Sequence, residues 1–455
     1  MKRAVAGLVR LLVDLFYRRV EVAGLDNVPD RGPVLLVANH FNGLVDPMLV
    51  LRVVERPVVF VAKSTLWRIP VLKTVLDLLG CVPVVRRGEE GREISSRGEE
   101  RNRESFEKLA AVLERDGAIL IFPEGRSHSE PRLSELHTGA ARILLLSRRS
   151  PVVVPLGLWF TKKEEFRSEV LVKIGAPVAP PEDPTVEAWT DAIERALLGV
   201  TLNADDWEDH EVVAAVDALY GTRIPKEETT GDFFEGDEGN SRSRLGRAFR
   251  NRQLLLEARE ALEKASPGEV ASLARRALAF DRLLRKIGLS PSALENPPPA
   301  GVILWNTFKA ALFILLGFPV AVLGVVAWWV PYRLSGAIAN RVPGASRQRD
   351  QIALYKLVAG TVLFPLFLAL ETAAVWSVAG APWAALALAC LPFAGISSLF
   401  FFEYAAWRER QAREFLALAF TPGGIARLRA RRDALVAACD RLAGAVRRAS
   451  DDRSL

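Results

Sequence analysis

Between Val34 and Ala176 short apolar runs alternate with longer helical patterns. Val34–Ala38, Pro57–Ala62, Cys81–Val85, Ala118–Phe122, Val152–Gly157 and Val170–Ile174 are short, mostly apolar runs, the pattern of strands buried on both faces. Leu66–Leu79, Ser105–Arg115 and Thr138–Ser147 predict helices between them. Strands alternating with helices predict an α/β domain with a mixed, largely parallel sheet, whose functional groups lie just beyond the carboxyl ends of strands.

After Pro177 the period becomes helical, and Val186–Leu198, Asp209–Tyr220, Ser243–Ala265 and Gly268–Lys286 predict four helices. Residues 226–243, rich in Glu, Asp, Gly, Ser and Thr, read as an acidic solvated linker. Beyond Pro297–Pro299 come three apolar stretches, Ala311–Val330, Leu357–Val378 and Trp383–Phe402, each near the ~20 residues that cross a bilayer core. At the other end, Leu8, Leu11, Leu12 and Leu15 recur at helical spacing; Arg10 and Asp14 exclude a secretory h-region. That helix either packs on the next domain or lies at a bilayer surface. The expected layout is an amphipathic helix (1–19), an α/β domain (20–180), a helical region (181–300), a membrane region (301–402) and a basic helical tail (403–455).

Composition supports this layout. Of 455 residues 50% are hydrophobic and 25% charged, which argues against disorder. A mean hydropathy of +0.15 points to apolar segments beyond an ordinary core. The three scattered cysteines, Cys81, Cys390 and Cys439, offer neither a disulfide framework nor a CxxC pair, so the soluble part is expected in a reducing compartment. The net charge of +6 comes from 60 basic and 54 acidic residues, too balanced to make nucleic acid an expected partner. The tail from Glu403 holds eleven Arg against seven acids, which suits either anionic lipid headgroups or a solvated helix face. Arg333, Arg341, Arg347 and Arg349 lie between the first two apolar stretches. Positive residues favour the cytoplasmic side, so the second and third stretches are expected to form a hairpin. The first is then expected to be re-entrant or interfacial, broken near Gly317 and Pro319, with the α/β domain on the cytoplasmic face.

The candidate chemistry sits at two strand ends. Asn39-His40 is followed by Asp46-Pro47, an imidazole that a carboxylate could orient as a base. Asp46-Pro47 is also a good helix N-cap with Pro at N1, which would leave His40 an ordinary loop residue. After the strand 118–122 comes Pro123-Glu124-Gly125-Arg126-Ser127, where backbone amides and the Arg126 guanidinium could hold an anion, or which could be a tight turn with solvated charge. Glu124, itself anionic, suits positioning an arginine or an acceptor hydroxyl.

Together these motifs resemble the glycerophosphate acyltransferase family, over roughly residues 20 to 180. The matching positions are Asn39, His40 and Asp46; Val84, Val85, Arg86 and Arg87; Phe122, Pro123, Glu124 and Gly125; and Val154, Pro155, Leu156 and Gly157. Five residues, 41 to 45, separate His40 from Asp46, one more than the commonest family pattern; this spacing is similar to the fungal glycerol-3-phosphate acyltransferases and their bacterial relatives. The resemblance implies acyl transfer from an acyl-CoA or acyl carrier protein thioester to a hydroxyl of a glycerophosphate at a lipid bilayer, with no cofactor. It implies His40 and Asp46 as the catalytic pair, and Asn39, Arg86, Arg87, Glu124, Gly125, Arg126 and Ser127 as substrate-binding. Glycerol 3-phosphate, dihydroxyacetone phosphate and lysophosphatidate all remain open as acceptors.

Two other classes stand beside this one. A non-catalytic membrane scaffold could retain the fold, though it would have little chemical reason to keep His40, Asp46, Gly125 and Arg126. A lipid hydrolase would need an exposed nucleophile, and Gly125-Arg126-Ser127-His128-Ser129 lacks the last glycine of the usual elbow. The four histidines, His40, His128, His137 and His210, match no usual metal-ligand spacing, so no metal is expected.

Overall fold

The computed structural model describes residues 2–68, 70–85, 96–221, 223, 243–295, 300–341, 352–420 and 422–451. Contacts divide the chain into two compact units. The first comprises Met1–Asp206, Pro225–Arg250 and Pro343–Leu354; the second comprises Trp207–Ile224, Asn251–Val342 and Tyr355–Leu455.

The first unit is the α/β domain. In chain order its elements are α1 (Lys2–Phe16), β1 (Arg19–Ala23), β2 (Val34–Ala38), α2 (Val45–Val53), β3 (Val58–Lys63), α3 (Pro70–Leu79), β4 (Val82–Val84), α4 (Ser96–Glu114), β5 (Ala118–Ile121), α5 (Gly139–Leu146), β6 (Val152–Phe160), β7 (Glu169–Ile174) and α6 (Val186–Val200). The seven strands form one sheet in the order β1-β7-β6-β2-β5-β3-β4, parallel at every pairing except the β6–β7 hairpin. The six expected strands are all present. β1 was not foreseen, because Arg19 and Glu21 interrupt its apolar residues as suits an edge strand.

Both faces of the sheet are covered, which is why its central strands read as unbroken apolar runs. Leu35, Val37, Ile119, Ile121 and Val153 pack with Leu109 and Leu113 of α4, Ile143 of α5 and Ile193 and Leu197 of α6. The alternate residues Leu36, Ala38, Leu120, Val154 and Leu156 pack with Val50 and Val53 of α2. The amphipathic helix α1 docks through Val13, Phe16 and the following Tyr17, all buried, while Leu8 and Leu11 face outward. The leucine stripe is thus divided: Leu8 and Leu11 are exposed, whereas Leu12 and Leu15 are half-buried beside the buried Val13 and Phe16.

The second unit continues with α7 (Trp207–Tyr220), α8 (Arg244–Ala265, whose first turns belong to the first unit), α9 (Pro267–Ile287), α10 (Pro291–Glu295), α11 (Ala300–Arg341), α12 (Ile352–Ala379), α13 (Ala381–Phe420) and α14 (Pro422–Asp451). The linker expected at 226–243 falls, apart from Ser243, outside the described residues. α11, α12 and α13 each contain a segment long and apolar enough to cross a membrane.

Two expectations are corrected here. α11 is one 42-residue helix that runs through Gly317, Pro319 and Pro331, so the first apolar stretch is not broken. Gly317 marks a close helix approach instead: a Cβ there would sit 2.9 Å from the Phe401 ring of α13. The packed antiparallel pair is α11 with α13, joined at Gly317–Phe401, at Gly324–Ala394 and by Trp328 Nε1–H donating to Leu391 O at 2.8 Å. The second and third stretches therefore do not form the principal hairpin. Of the basic residues expected between the first two stretches, Arg333 and Arg341 lie within α11; Arg347 and Arg349 are outside the described residues. In α14, Arg429 donates to Leu294 O, Arg431 lies over the Phe280 ring and buried Arg432 pairs with Glu295, so these arginines serve intramolecular packing.

Candidate active site

β2 and β5 are adjacent and parallel, with Val37 opposite Ile121, so the segments after them emerge side by side. One carries Asn39 to Asp46, the other Phe122 to Ser127. The imidazole and carboxylate meet: His40 Nδ1 lies 2.8 Å from Asp46 Oδ2, with Asp46 fully buried and a tenth of the His40 side chain exposed. Asn42 N–H donates to the same Asp46 oxygen at 2.8 Å, so the intervening loop is folded around the carboxylate. Asp46 is not a helix cap. α2 begins at Val45 with Leu44 as its N-cap, and the Asp46 side chain turns back to His40 from the first helical turn, where the helix dipole also favours its charge. Phe122 stacks on the His40 ring with centroids 4.2 Å apart.

The remaining predicted residues separate into three groups. Asn39 and Glu124 are buried and hydrogen-bonded within the protein. Asn39 Nδ2–H donates to Leu158 O at 3.1 Å and its Oδ1 accepts from Leu158 N–H at 2.7 Å, clamping the end of β2 to β6. Glu124 accepts from His40 N–H at 2.6 Å, from Ser134 N–H at 2.8 Å and from His128 Nε2, so main-chain amides and an imidazole hold its carboxylate. Gly125, Arg126 and Ser127 form the rim. Gly125 has φ +68° and lies under the His137 ring, with no room for a Cβ. Arg126 is exposed and unpaired among the described residues. Arg86 and Arg87 fall outside the described residues.

Three contributors were missed from sequence. Lys163, in the β6–β7 loop, donates to Phe41 O at 3.0 Å, His128 O at 3.2 Å and Ser129 Oγ at 2.7 Å, tying the two segments together. Asn42 Nδ2–H donates to Lys163 O at 3.1 Å and to Tyr17 Oη at 3.0 Å. Tyr17 is buried between Phe16 and Phe160. Nothing in the spacing of Lys163 and Tyr17 announces them, because they reach the site from distant elements, and Asn42, within the His40–Asp46 loop, carries no signal of its own. This arrangement supplies an oriented imidazole, an adjoining rim with a free guanidinium, and a rigid frame behind both.

Comparison with known proteins follows the same segment. The Acyltransferase family model matches residues 19–159. Glycerol-3-phosphate O-acyltransferase 2 of Saccharomyces cerevisiae is 31% identical over 136 residues, covering 26% of this chain and 18% of that protein. The 1-acyl-sn-glycerol-3-phosphate acyltransferase of Borreliella burgdorferi is 28% identical over 144 residues, 31% of this chain and 52% of that one. An uncharacterized acyltransferase of Schizosaccharomyces pombe is 23% identical over 309 residues, 47% of this chain and 46% of that one. The matches thus span under half of the fungal relatives and about half of the bacterial one. The matched segment, residues 19–159, carries both motifs and every strand of the sheet except β7 and the last residue of β6, and it is this segment that is similar to the Acyltransferase family.

Proposed function

We propose that this chain is a membrane-associated O-acyltransferase of glycerolipid synthesis. It moves a fatty acyl group from an acyl-CoA or acyl carrier protein thioester to a hydroxyl of glycerol 3-phosphate or lysophosphatidate. The observation that carries this reading is the 2.8 Å contact between His40 Nδ1 and buried Asp46. With Nδ1–H donated to the carboxylate, Nε2 is the nitrogen left to accept a proton. It takes the proton of the acceptor hydroxyl as that oxygen attacks the thioester carbonyl, and Asp46 stabilises the imidazolium. Collapse of the tetrahedral adduct breaks the C–S bond, and the departing thiolate recovers the proton from His40. No acyl-enzyme is needed.

General-base help of this kind is worth roughly 10²- to 10⁴-fold, so most of the remaining acceleration rests on holding thioester and alcohol together. Arg126 is the described group suited to the acceptor's phosphate, because it is a guanidinium beside the Gly125 turn with no partner among the described residues. Arg86 and Arg87 are carried into the same role by the family resemblance. Ser127 is a further rim residue for the acceptor. The names of the yeast and bacterial relatives support the acceptor class, and the three apolar helices support membrane association. The basic tail favours placing the catalytic domain on the cytoplasmic face.

The test offers the purified full chain glycerol 3-phosphate and lysophosphatidate in parallel, each with acyl-CoA and acyl carrier protein thioesters. An ester product from one acceptor supports the proposal and identifies the acceptor. Release of free fatty acid alone would favour the hydrolase, and no turnover of any combination would favour the scaffold.

A further inference from the structure

The site contains two imidazole–carboxylate pairs, and they are wired differently. In the first, His40 meets Asp46 through Nδ1, and its Nε2 has no protein partner among the described residues. In the second, His128 meets Glu124 through Nε2, while its Nδ1 accepts the Glu130 N–H at 3.1 Å. That backbone donor fixes the neutral Nε2–H tautomer of His128 and leaves neither ring nitrogen available to a substrate. Burial agrees: the His128 side chain is 3% exposed and that of Glu124 is closed to solvent.

The second pair instead grips the main chain of the first. Glu124 Oε1 accepts the His40 N–H at 2.6 Å, and the His128 N–H donates to His40 O at 3.1 Å, so both backbone groups of residue 40 are held by the segment after β5. Glu124 can accept from His40 in this geometry only while its other oxygen is held in place, and Ser134 N–H and His128 Nε2–H hold it. The edge of the Phe41 ring against the His128 ring, 4.9 Å between centroids, closes the same corner. Resting on the acyl-transfer reading above, we infer that His128 is a positioning residue for the His40 base, acting through the Glu124 carboxylate. Its task is to keep Nε2 of His40 aimed at the acceptor hydroxyl. A base displaced by about 1 Å loses on the order of 10²-fold in rate.

The experiment compares wild-type full-length enzyme with His128→Ala, His128→Gln and His128→Asn in steady-state acyl transfer to the acceptor that the wild type uses. A Gln amide reaches roughly where Nε2 sits and can still donate to Glu124; an Asn amide reaches only where Nδ1 sits. His128→Ala is expected to lower kcat about 30- to 100-fold with the acceptor KM within about threefold. Gln is expected to recover activity to within about fivefold of wild type, and Asn is expected to stay near Ala. If the Ala variant does not fold, the Gln–Asn contrast decides alone. Unchanged kcat in Ala, a change confined to KM, or Gln no better than Asn would overturn the inference while leaving an active wild type and its His40 base untouched. A wild type that forms no ester would overturn both.

Discussion

Tyr17, the residue that follows α1, accepts a hydrogen bond from Asn42 Nδ2–H at 3.0 Å, so the first helix ends on the loop that carries the His–Asp pair. Burial holds the Tyr17 phenol well above its ordinary range, and the nearby Asp46 charge pushes the same way. The N-terminal helix is therefore part of the frame of the site, in addition to any contact that outward-facing Leu8 and Leu11 make with lipid.

Tyr17→Phe removes this bond but keeps the ring contacts, and should cost about 1 kcal/mol of stability. Wild type should also lose stability as pH rises above about 10, because the unfolded phenol ionises there while the folded one stays protonated. Stability from this source is complete below the unfolded value and disappears as pH climbs toward the raised folded value. Denaturation midpoints between pH 8 and 11 should fall less steeply in Tyr17→Phe; an unchanged alkaline slope would contradict the role given to the buried phenol.

Gly125→Ala should be among the more damaging single-methyl changes in the domain. It places a side chain at φ +68° and against the His137 ring. The expected loss is about 1–3 kcal/mol. His137→Ala added to it should recover the steric part and leave the backbone part. Strict additivity of the two changes, read by thermal denaturation, would show that the ring contact does not matter.

In the membrane region, Gly324 faces the Ala394 carbonyl and Ser398, whereas Gly336 has nothing within 4 Å of an added Cβ. Gly324→Val should lower the melting temperature in detergent by several degrees, and Gly336→Val by much less. Equal effects would argue against tight α11–α13 packing.

Segments on either side of the apolar helices also pack together. Arg429 of α14 bonds Leu294 O of α10, and Leu435 and Cys439 share a core with Phe280 of α9. A chain that enters and leaves a bilayer on one side crosses it an even number of times. Engineered cysteines at Arg276 and Arg427 should therefore label from the same side, with Arg341 labelling from the other. Opposite labelling of Arg276 and Arg427 would require an odd number of crossings.

The sheet was legible because its strands are buried on both faces, so runs such as Val34–Ala38 and Ala118–Ile121 need no register to be recognised. β1 was not, because an edge strand carrying Arg19 and Glu21 looks like a polar connection. At the site, His40 and Asp46 could be paired from a short spacing that a single loop can close. The burial of Asn39 and Glu124 could not be read, because a buried polar side chain and an exposed one look the same in a sequence. Lys163 and Tyr17 reach the pair from a hairpin loop and a helix end, across 122 residues in the bond from Lys163 to Phe41 O. The helix pairing of α11 with α13 was hidden because charge between segments reports on sidedness, and the small residues that choose partners do not.

The central claim is that His40 is the base and Asp46 orients it. The most direct measurement is thioester-dependent ester formation by wild type, His40→Ala and Asp46→Asn, each purified at full length and matched for thermal stability. His40→Ala is expected to fall by at least about 10²-fold and Asp46→Asn by a comparable order, since it loses the charge that stabilises the imidazolium. Activity of folded His40→Ala within a few-fold of wild type would contradict the claim.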